Sequence, residues 1–127
     1  MKKIFLFLSI ALLLSSCASM RNSNQNNMKS YFNQAPDLSK VTYEGGVGKS
    51  IEDAIVIKNA GNERNGVAAE YDYIAKEHGT QFTNWRTISQ SVSSKNGKQF
   101  DIIEIITIPG NKKGTYYFDI TEFYGKF

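Results

Sequence analysis

The spacing of apolar and polar residues predicts a small α+β domain in the later part of the chain. Apolar residues recur at spacings of three and four over about 63–78, which is typical of an amphipathic helix: Val67, Tyr71, Ile74 and Ala75. Gly79 then supplies a helix stop. Short runs rich in β-branched and aromatic residues predict strands at about 54–58, 85–93, 99–108 and 115–122. The expected order is β-α-β-β-β, with one main helix packed on a small antiparallel sheet.

The junctions between the last three predicted strands indicate that these strands form a meander. Asn96-Gly97 is the strongest short signal for a β-hairpin, and residues 109–114 form a looser turn. The middle strand is apolar on both of its faces, which favours a central position in the sheet.

One face of this middle strand needs a cover. Ile103 and Ile105 point to the same side, and the alternation places Trp85 and Tyr117 of the neighbouring strands with them. Either the segment before the helix or a partner covers this face. The need of a small domain for a core favours the segment before the helix.

The other face carries Glu104 among apolar residues of the same strand. A carboxylate in such surroundings must be paired, protonated or close to an edge. One interpretation is a group that orients a ligand or transfers a proton. The favoured one is structural, with an ion pair to Arg86 or a hydrogen bond to Gln90 on the adjacent strand.

Residues 45–50 read Gly-Gly-Val-Gly-Lys-Ser and end like a phosphate-binding Walker motif. The first glycine of that motif would fall at Tyr43, no apolar strand precedes the run, and the following apolar run is too short for the usual helix. Nucleotide binding is therefore not expected. Ser50 with Asp53 instead resembles a capping box that starts one helical turn.

Residues 1–16 have the organisation of a cleaved signal peptide. Lys2 and Lys3 precede an apolar run over 4–14, which is shorter than the roughly 20 residues that span a bilayer. Leu14-Ser15-Ser16-Cys17 resembles the lipobox of bacterial lipoproteins, in which the cysteine thiol receives diacylglycerol and becomes the new N-terminus. An ordinary cleaved signal with a chance cysteine is the less favoured alternative.

The lipobox resemblance implies durable membrane anchoring through acyl chains such as palmitate on Cys17. Ala18 follows, and the absence of Asp there resembles lipoproteins that are sorted to the outer membrane. The next residues are Asn-rich and show no sustained period, which predicts a flexible tether. The expected organisation is a signal peptide over 1–16, the lipidated cysteine and tether over 17–40, and an α+β domain over 41–127.

Composition and charge exclude several classes of function. The formal net charge of +3 includes Lys2 and Lys3, so the mature chain is close to neutral and no nucleic-acid partner is expected. A single cysteine excludes an internal disulfide and a multi-cysteine zinc site. The carboxylates lack the spacing of zinc or calcium ligands. No metal and no cofactor are therefore expected.

The candidate groups for chemistry are few. The single histidine, His78, lies at the end of the predicted helix without any nucleophile pattern, which is a poor start for a hydrolytic triad. Glu63, Glu70 and Glu77 recur every seven residues along one flank of that helix. This acidic row suits a cation or a basic partner, but a solvated helix edge is the favoured interpretation.

Four segments together carry a resemblance to a known family: 45–57 (GGVGKSIEDAIVI), 66–71 (GVAAEY), 89–91 (SQS) and 117–126 (YFDITEFYGK). They resemble a family of small bacterial secreted proteins and lipoproteins of unknown function, over about residue 44 to the C-terminus. The resemblance implies no activity and no site residues. Val47 stands where members of this family often have an acidic residue.

Two functions from different classes remain open. The favoured one is a non-enzymatic envelope module that binds a protein or a cell-wall component from the end of a lipid tether. The alternative is a small enzyme or enzyme inhibitor that uses Glu104, Glu70 or His78 in a cleft. A pocket that brings two of these three together would favour the alternative. Arg86, Trp85 and Tyr117 complete the set of candidate binding residues.

Overall fold

The computed structural model describes residues 33–127, of which Pro36–Phe127 form one compact unit. The predicted signal peptide, the lipidated Cys17 and most of the predicted tether lie outside the described residues. Within them are one helix and five strands: β1 (Thr42–Gly45), β2 (Ile55–Lys58), α1 (Glu63–His78), β3 (Trp85–Lys95), β4 (Lys98–Thr107) and β5 (Lys113–Asp119).

The five strands form one sheet in the order β1-β2-β5-β4-β3. This confirms the predicted α+β class, with two differences. The sheet is mixed and not purely antiparallel, because β5 is inserted beside β2 and runs parallel to it, pairing Ile55 with Phe118. A further strand, β1, precedes those predicted and pairs antiparallel with β2. The hydroxyl of Tyr43 in β1 donates to the Ala69 carbonyl oxygen of α1 at 2.7 Å, which links this edge strand to the helix.

Local hydrogen bonds define both ends of α1. The side-chain oxygen of Asn62 accepts from the backbone N–H of Asn65 at 3.0 Å, as an N-cap does. Gly79, at φ 97°, closes the helix by donating its N–H to Ala75. The predicted helix is therefore confirmed. No helix among residues 33–127 has both the length and the apolar character to cross a membrane.

The stripe of α1 that faces the sheet differs from the predicted one. Four helix residues are buried: Gly66, Ala69, Glu70 and Ile74. Val67, which the apolar spacing placed in the stripe, is 41% exposed. Small residues face the sheet because they let the helix backbone approach it closely, so the helix is rotated relative to its pattern of large apolar residues.

The helix covers the sheet face that carries Ile103 and Ile105, and the core lies between them. The neighbour of Ile103 on β5 is Tyr116, so Tyr116 and Phe118 share this face. Tyr117 points to the opposite side, which corrects its predicted position. A shift by one residue exchanges the two faces of a strand, and the turn before β5 sets that register.

The opposite side of the sheet is called here the open face. Residues 46–54, between β1 and β2, cover one end of it. There the Tyr117 N–H donates to the Gly48 carbonyl oxygen at 3.0 Å, and Glu52 forms an ion pair with Lys95 of the hairpin. The prediction that the segment before the helix covers the face of Ile103 and Ile105 was therefore wrong: α1 covers that face, and this segment covers part of the opposite one.

Two of the predicted turns are present. Asn96 and Gly97 have φ values of 52° and 75°, the left-handed pair that a two-residue hairpin needs, which confirms the predicted β3–β4 hairpin. The Asp53 N–H donates to the Ser50 side chain at 3.2 Å, as in the predicted capping-box-like pair. The chain there forms a turn that leads into β2 and not a helix.

Gly66 provides the closest contact between α1 and the C-terminal turn. A Cβ atom at this position would lie 2.3 Å from ring atoms of Phe123, which is itself fully buried. The Glu63 N–H also donates to the Lys126 carbonyl oxygen at 2.7 Å. The start of the helix and the C-terminal turn are therefore held together by both side-chain packing and a backbone hydrogen bond.

We expect Gly66→Ala to destabilise the protein by roughly 1–3 kcal/mol, because the added methyl group overpacks the Phe123 ring. Helix propensity alone would predict the reverse, a gain of about 1 kcal/mol. Urea denaturation of both proteins measures the difference. Val67→Ala, at the adjacent exposed position, is the matched control and should change stability by less than about 0.5 kcal/mol. A Gly66→Ala protein as stable as the wild type would contradict the contact.

Candidate functional site

Glu104 lies on the open face, as its position in β4 predicts, and is half-buried. Its nearest cation is Lys113, whose Nζ atom is 3.9 Å from the carboxylate. The predicted partners were therefore wrong. The side chain of Gln90 belongs to the helix-covered face and bonds there to Asp101, while Arg86 lies opposite Ile106.

The three groups named for an enzyme do not share a pocket. Glu70 and His78 belong to α1, whereas Glu104 points away from the helix on the far side of the sheet. Along the helix, Glu70 and His78 are separated by about 12 Å of rise. Within the described part of the chain, no pocket brings two of these three residues together as an acid–base pair would require.

Glu70 is fully buried, which corrects the interpretation of the acidic row as a solvated edge. It lies beside Asp101 of β4, which is 3% exposed. Asp101 accepts a hydrogen bond of 2.5 Å from the Gln90 amide, and Gln90 accepts one of 3.0 Å from the Tyr71 hydroxyl. A chain of polar contacts thus connects α1 to β3 and β4, from the exposed Gln90 to the buried Asp101.

The protonation state of Glu70 follows from its surroundings. No donor among the described residues forms a hydrogen bond with either of its carboxyl oxygens. Burial, followed by the neighbouring Asp101 carboxylate, raises the pKa of Glu70 to about 10 from its ordinary value of 4.5. At neutral pH Glu70 is therefore a neutral acid whose proton is available to Asp101. Glu70 is thus a buried acid that lies directly beside a second buried carboxyl group.

His78 belongs to a cluster at the C-terminal end of α1. Its Nε2 atom lies 2.7 Å from the Tyr116 hydroxyl, which also donates to the carboxylate of Glu77. Burial and the Glu77 carboxylate raise the pKa of Tyr116. These contacts tie the last turn of the helix to β5, so His78 has a structural partner at this position.

Trp85 lies entirely in the core. Its ring stacks on Tyr71 at a centroid distance of 5.9 Å, and its indole N–H donates to the Gly79 carbonyl oxygen at 2.9 Å. The side chain therefore holds the end of α1 against β3. Among the candidate binding residues, Trp85 and Glu70 lie below the surface, whereas Arg86, Tyr117 and Glu104 lie together on the open face.

The open face combines an apolar centre with a polar border. Ile102 and Ile106 of β4 and Tyr117 of β5 are half-buried at its centre. The border toward β3 consists of serines, since Ser91 lies opposite Ile102 and Ser89 opposite Glu104. Sequence reasoning missed the extent of this surface, because it placed Tyr117 on the other side of the sheet.

A shallow cleft of about 380 Å³ lies where residues 46–54 meet the open face. Its lining includes Asp53, Phe100 and Asp119. The cleft also contains Lys98, whose Nζ atom is 3.6 Å from Asp119. Among residues 33–127, no three His, Cys, Asp or Glu side chains are placed to hold a metal ion. The cleft is therefore a mixed-charge extension of the open face.

Comparison with known proteins identifies the start of the chain. Residues 1–18 match the family model of the prokaryotic membrane lipoprotein lipid attachment site. The chain is therefore a lipoprotein of the bacterial envelope that is anchored to a membrane through lipid on Cys17, as predicted. No curated protein and no solved structure matches it.

We expect the buried acid to make the protein less stable as pH rises. Glu70 is protonated in the folded state up to about pH 10, whereas in the unfolded chain it ionises near pH 4.5. Its contribution to stability is thus complete below pH 4.5 and decreases between these values by up to about 1.4 kcal/mol per pH unit. Glu70→Gln should remove this slope.

Urea denaturation of the wild type and Glu70→Gln between pH 5 and pH 9 measures the effect. The stability of the variant relative to the wild type should increase steadily with pH. Glu44→Gln, at an exposed position on β1, is the control. A difference between wild type and Glu70→Gln that stays constant across this range would mean that Glu70 is not held neutral.

Proposed function

We propose that this lipoprotein is a non-enzymatic binding module of the outer membrane, which holds an envelope protein or a cell-wall component on its open face. The single observation that carries the proposal is the apolar stripe of Ile102, Ile106 and Tyr117 on the side of the sheet away from α1. The lipid anchor supports the location, because it keeps this surface at the membrane without any contribution from the folded unit.

The open face has the composition of a binding surface. Protein interfaces typically have an apolar centre with aromatic residues and a polar, solvent-accessible rim. Here Tyr117 and the isoleucines form the centre, and the serines of β3 form part of the rim. Glu104 lies between Ile102 and Ile106 on the same face and forms a solvent-exposed ion pair with Lys113, and such a charge contributes to the choice of partner more than to affinity.

The positions of the acid–base candidates support binding over catalysis. Glu104 is separated by the sheet from Glu70 and His78; His78 contacts the Tyr116 hydroxyl, and Glu70 is buried beside Asp101. The alternative of a small enzyme or enzyme inhibitor therefore lacks a pair of groups that converge on one cleft.

Site-specific photo-crosslinking in intact cells tests the binding surface. A photoreactive residue at Thr115, exposed beside Glu104, should yield an adduct with one envelope protein or with the cell wall. The same group at Lys76, exposed on α1, should not. Tyr117→Ala should reduce the Thr115 adduct at least ten-fold if the protein keeps its melting temperature. Equal labelling from Thr115 and Lys76 would contradict the assignment of this face.

The proposed location is tested by two substitutions at the lipid attachment site. The wild type should fractionate with the outer membrane and incorporate labelled palmitate. Cys17→Ala should lose the label and leave the membrane fraction. Ala18→Asp should keep the label but move the protein to the inner membrane. Recovery of the labelled wild type in the inner membrane would contradict the outer-membrane proposal.

A further inference from the structure

The outer edge of β3 is open to a further strand. β3 is the last strand of the sheet, and no other strand of residues 33–127 lies beside it along most of its length. Only its start is covered, where the Phe82 N–H donates to the Trp85 carbonyl oxygen at 2.6 Å. Natural edge strands usually avoid pairing through charges, prolines, β-bulges or short length. Residues 89–94 contain neither a charge nor a proline, and the bulge of this strand lies before them, between Thr87 and Ser89.

The hairpin determines which residues present their backbone to this edge. The residues that flank a two-residue hairpin turn form a hydrogen-bonded pair, here Lys95 with Lys98. Since the pattern alternates, Ser94, Val92 and Gln90 direct their N–H and C=O groups away from β4. A bulge between Thr87 and Ser89 interrupts the alternation beyond them. The regular part of the edge is therefore 89–95.

We propose that this edge pairs with the same edge of a second copy of the chain, antiparallel about a two-fold axis at Val92. In an antiparallel pair, residues that present their backbone must lie opposite each other. Pairing about Val92 places Gln90 opposite Ser94 of the other copy, and Val92 opposite itself. Gln90, Val92 and Ser94 then all form backbone hydrogen bonds with the other copy. An axis at Ser91 would instead place Ser94 opposite the bulge.

The side chains of this register are compatible with self-pairing. Val92 is 51% exposed, and the axis would bring its two copies into contact. Ser91 would lie opposite Ser93, and Lys95 opposite Ser89, so that no like charges face each other. The bulge and the hairpin turn limit the paired segment at its two ends. The result would be one continuous sheet across two copies, with both open faces on the same side.

The lipid anchor explains why so short an edge suffices. Stable interfaces usually bury at least about 1,200 Å², more than one pair of short strands provides. Anchoring two copies to one membrane raises their effective concentration, so that a weak contact becomes populated. The proposal concerns the strand edge and does not depend on what the open face binds.

Cysteine crosslinking of the full lipidated protein in membranes tests the register. Val92→Cys should form a disulfide-linked homodimer under mild oxidation, because residues opposite each other in a sheet lie within disulfide reach. Gln90→Cys or Ser94→Cys alone should yield at least ten-fold less disulfide-linked homodimer. In the proposed register, position 90 of one copy would lie about 13 Å from position 90 of the other, and the same holds for position 94. Differently tagged Gln90→Cys and Ser94→Cys chains expressed together should crosslink to each other as efficiently as Val92→Cys.

A further variant separates the proposed pairing from random collision. Adding Val92→Lys to both the Gln90→Cys and the Ser94→Cys chains places two ammonium groups at the axis and should reduce their heterodimer at least ten-fold. Because position 92 is exposed and lies opposite Asp101 within its own chain, the added charge meets no like charge there and an unchanged melting temperature is expected. Equal crosslinking at all three single positions, none at Val92→Cys, or adducts with another protein in place of the homodimer would overturn the proposal.

Discussion

The packing of α1 on one face of the sheet is the interaction on which the rest of the structure depends. It requires small side chains at Gly66 and Ala69, because the helix must come close enough for Phe118 and Phe123 to fill the space between the layers. Once that face is buried, the pairing of Ile103 with Tyr116 determines which side chains of β4 and β5 remain outside. The open face is therefore a consequence of the core.

The buried carboxyl pair shows that this core is not optimised for stability alone. Burying Glu70 next to Asp101 carries a desolvation cost that an apolar side chain of similar volume would avoid. Gln90 donates to one carboxylate oxygen of Asp101 and accepts from Tyr71, which connects the helix to β3 and β4. These contacts favour one register of the helix on the sheet, since any slip would break both hydrogen bonds.

Much of the secondary structure could be predicted because its signals are local. The helix has a glycine stop, and the hairpin has an Asn-Gly turn, so both were placed correctly. The strand β1 was missed because its four residues are largely exposed and carry little apolar pattern. The face of Tyr117 was misplaced because strand alternation cannot be carried across a turn of unknown geometry.

Burial on the helix was the hardest feature to predict. Large apolar residues suggested a stripe through Val67 and Tyr71, but glycine and alanine made the closest contacts, and Glu70 came with them. A hydrophobic pattern cannot identify a buried acid, because its burial depends on a proton and on a neighbour distant in sequence. The segments 66–71 and 117–126 contact each other through Gly66 and Phe123, which gives both a structural role at the start of the helix.

The lipid anchor changes what the folded unit needs in order to act. A protein free in solution must bury a large interface to hold a partner at low concentration, whereas an anchored one is confined near the membrane with the components that it meets there. The apolar residues of the open face and the free edge of β3 are the surfaces proposed here for such weak contacts. Neither belongs to the core that holds α1 on the sheet. The helix-covered side of the sheet therefore contains the main core, whereas the part of the open face beyond residues 46–54 and the edge of β3 stay accessible.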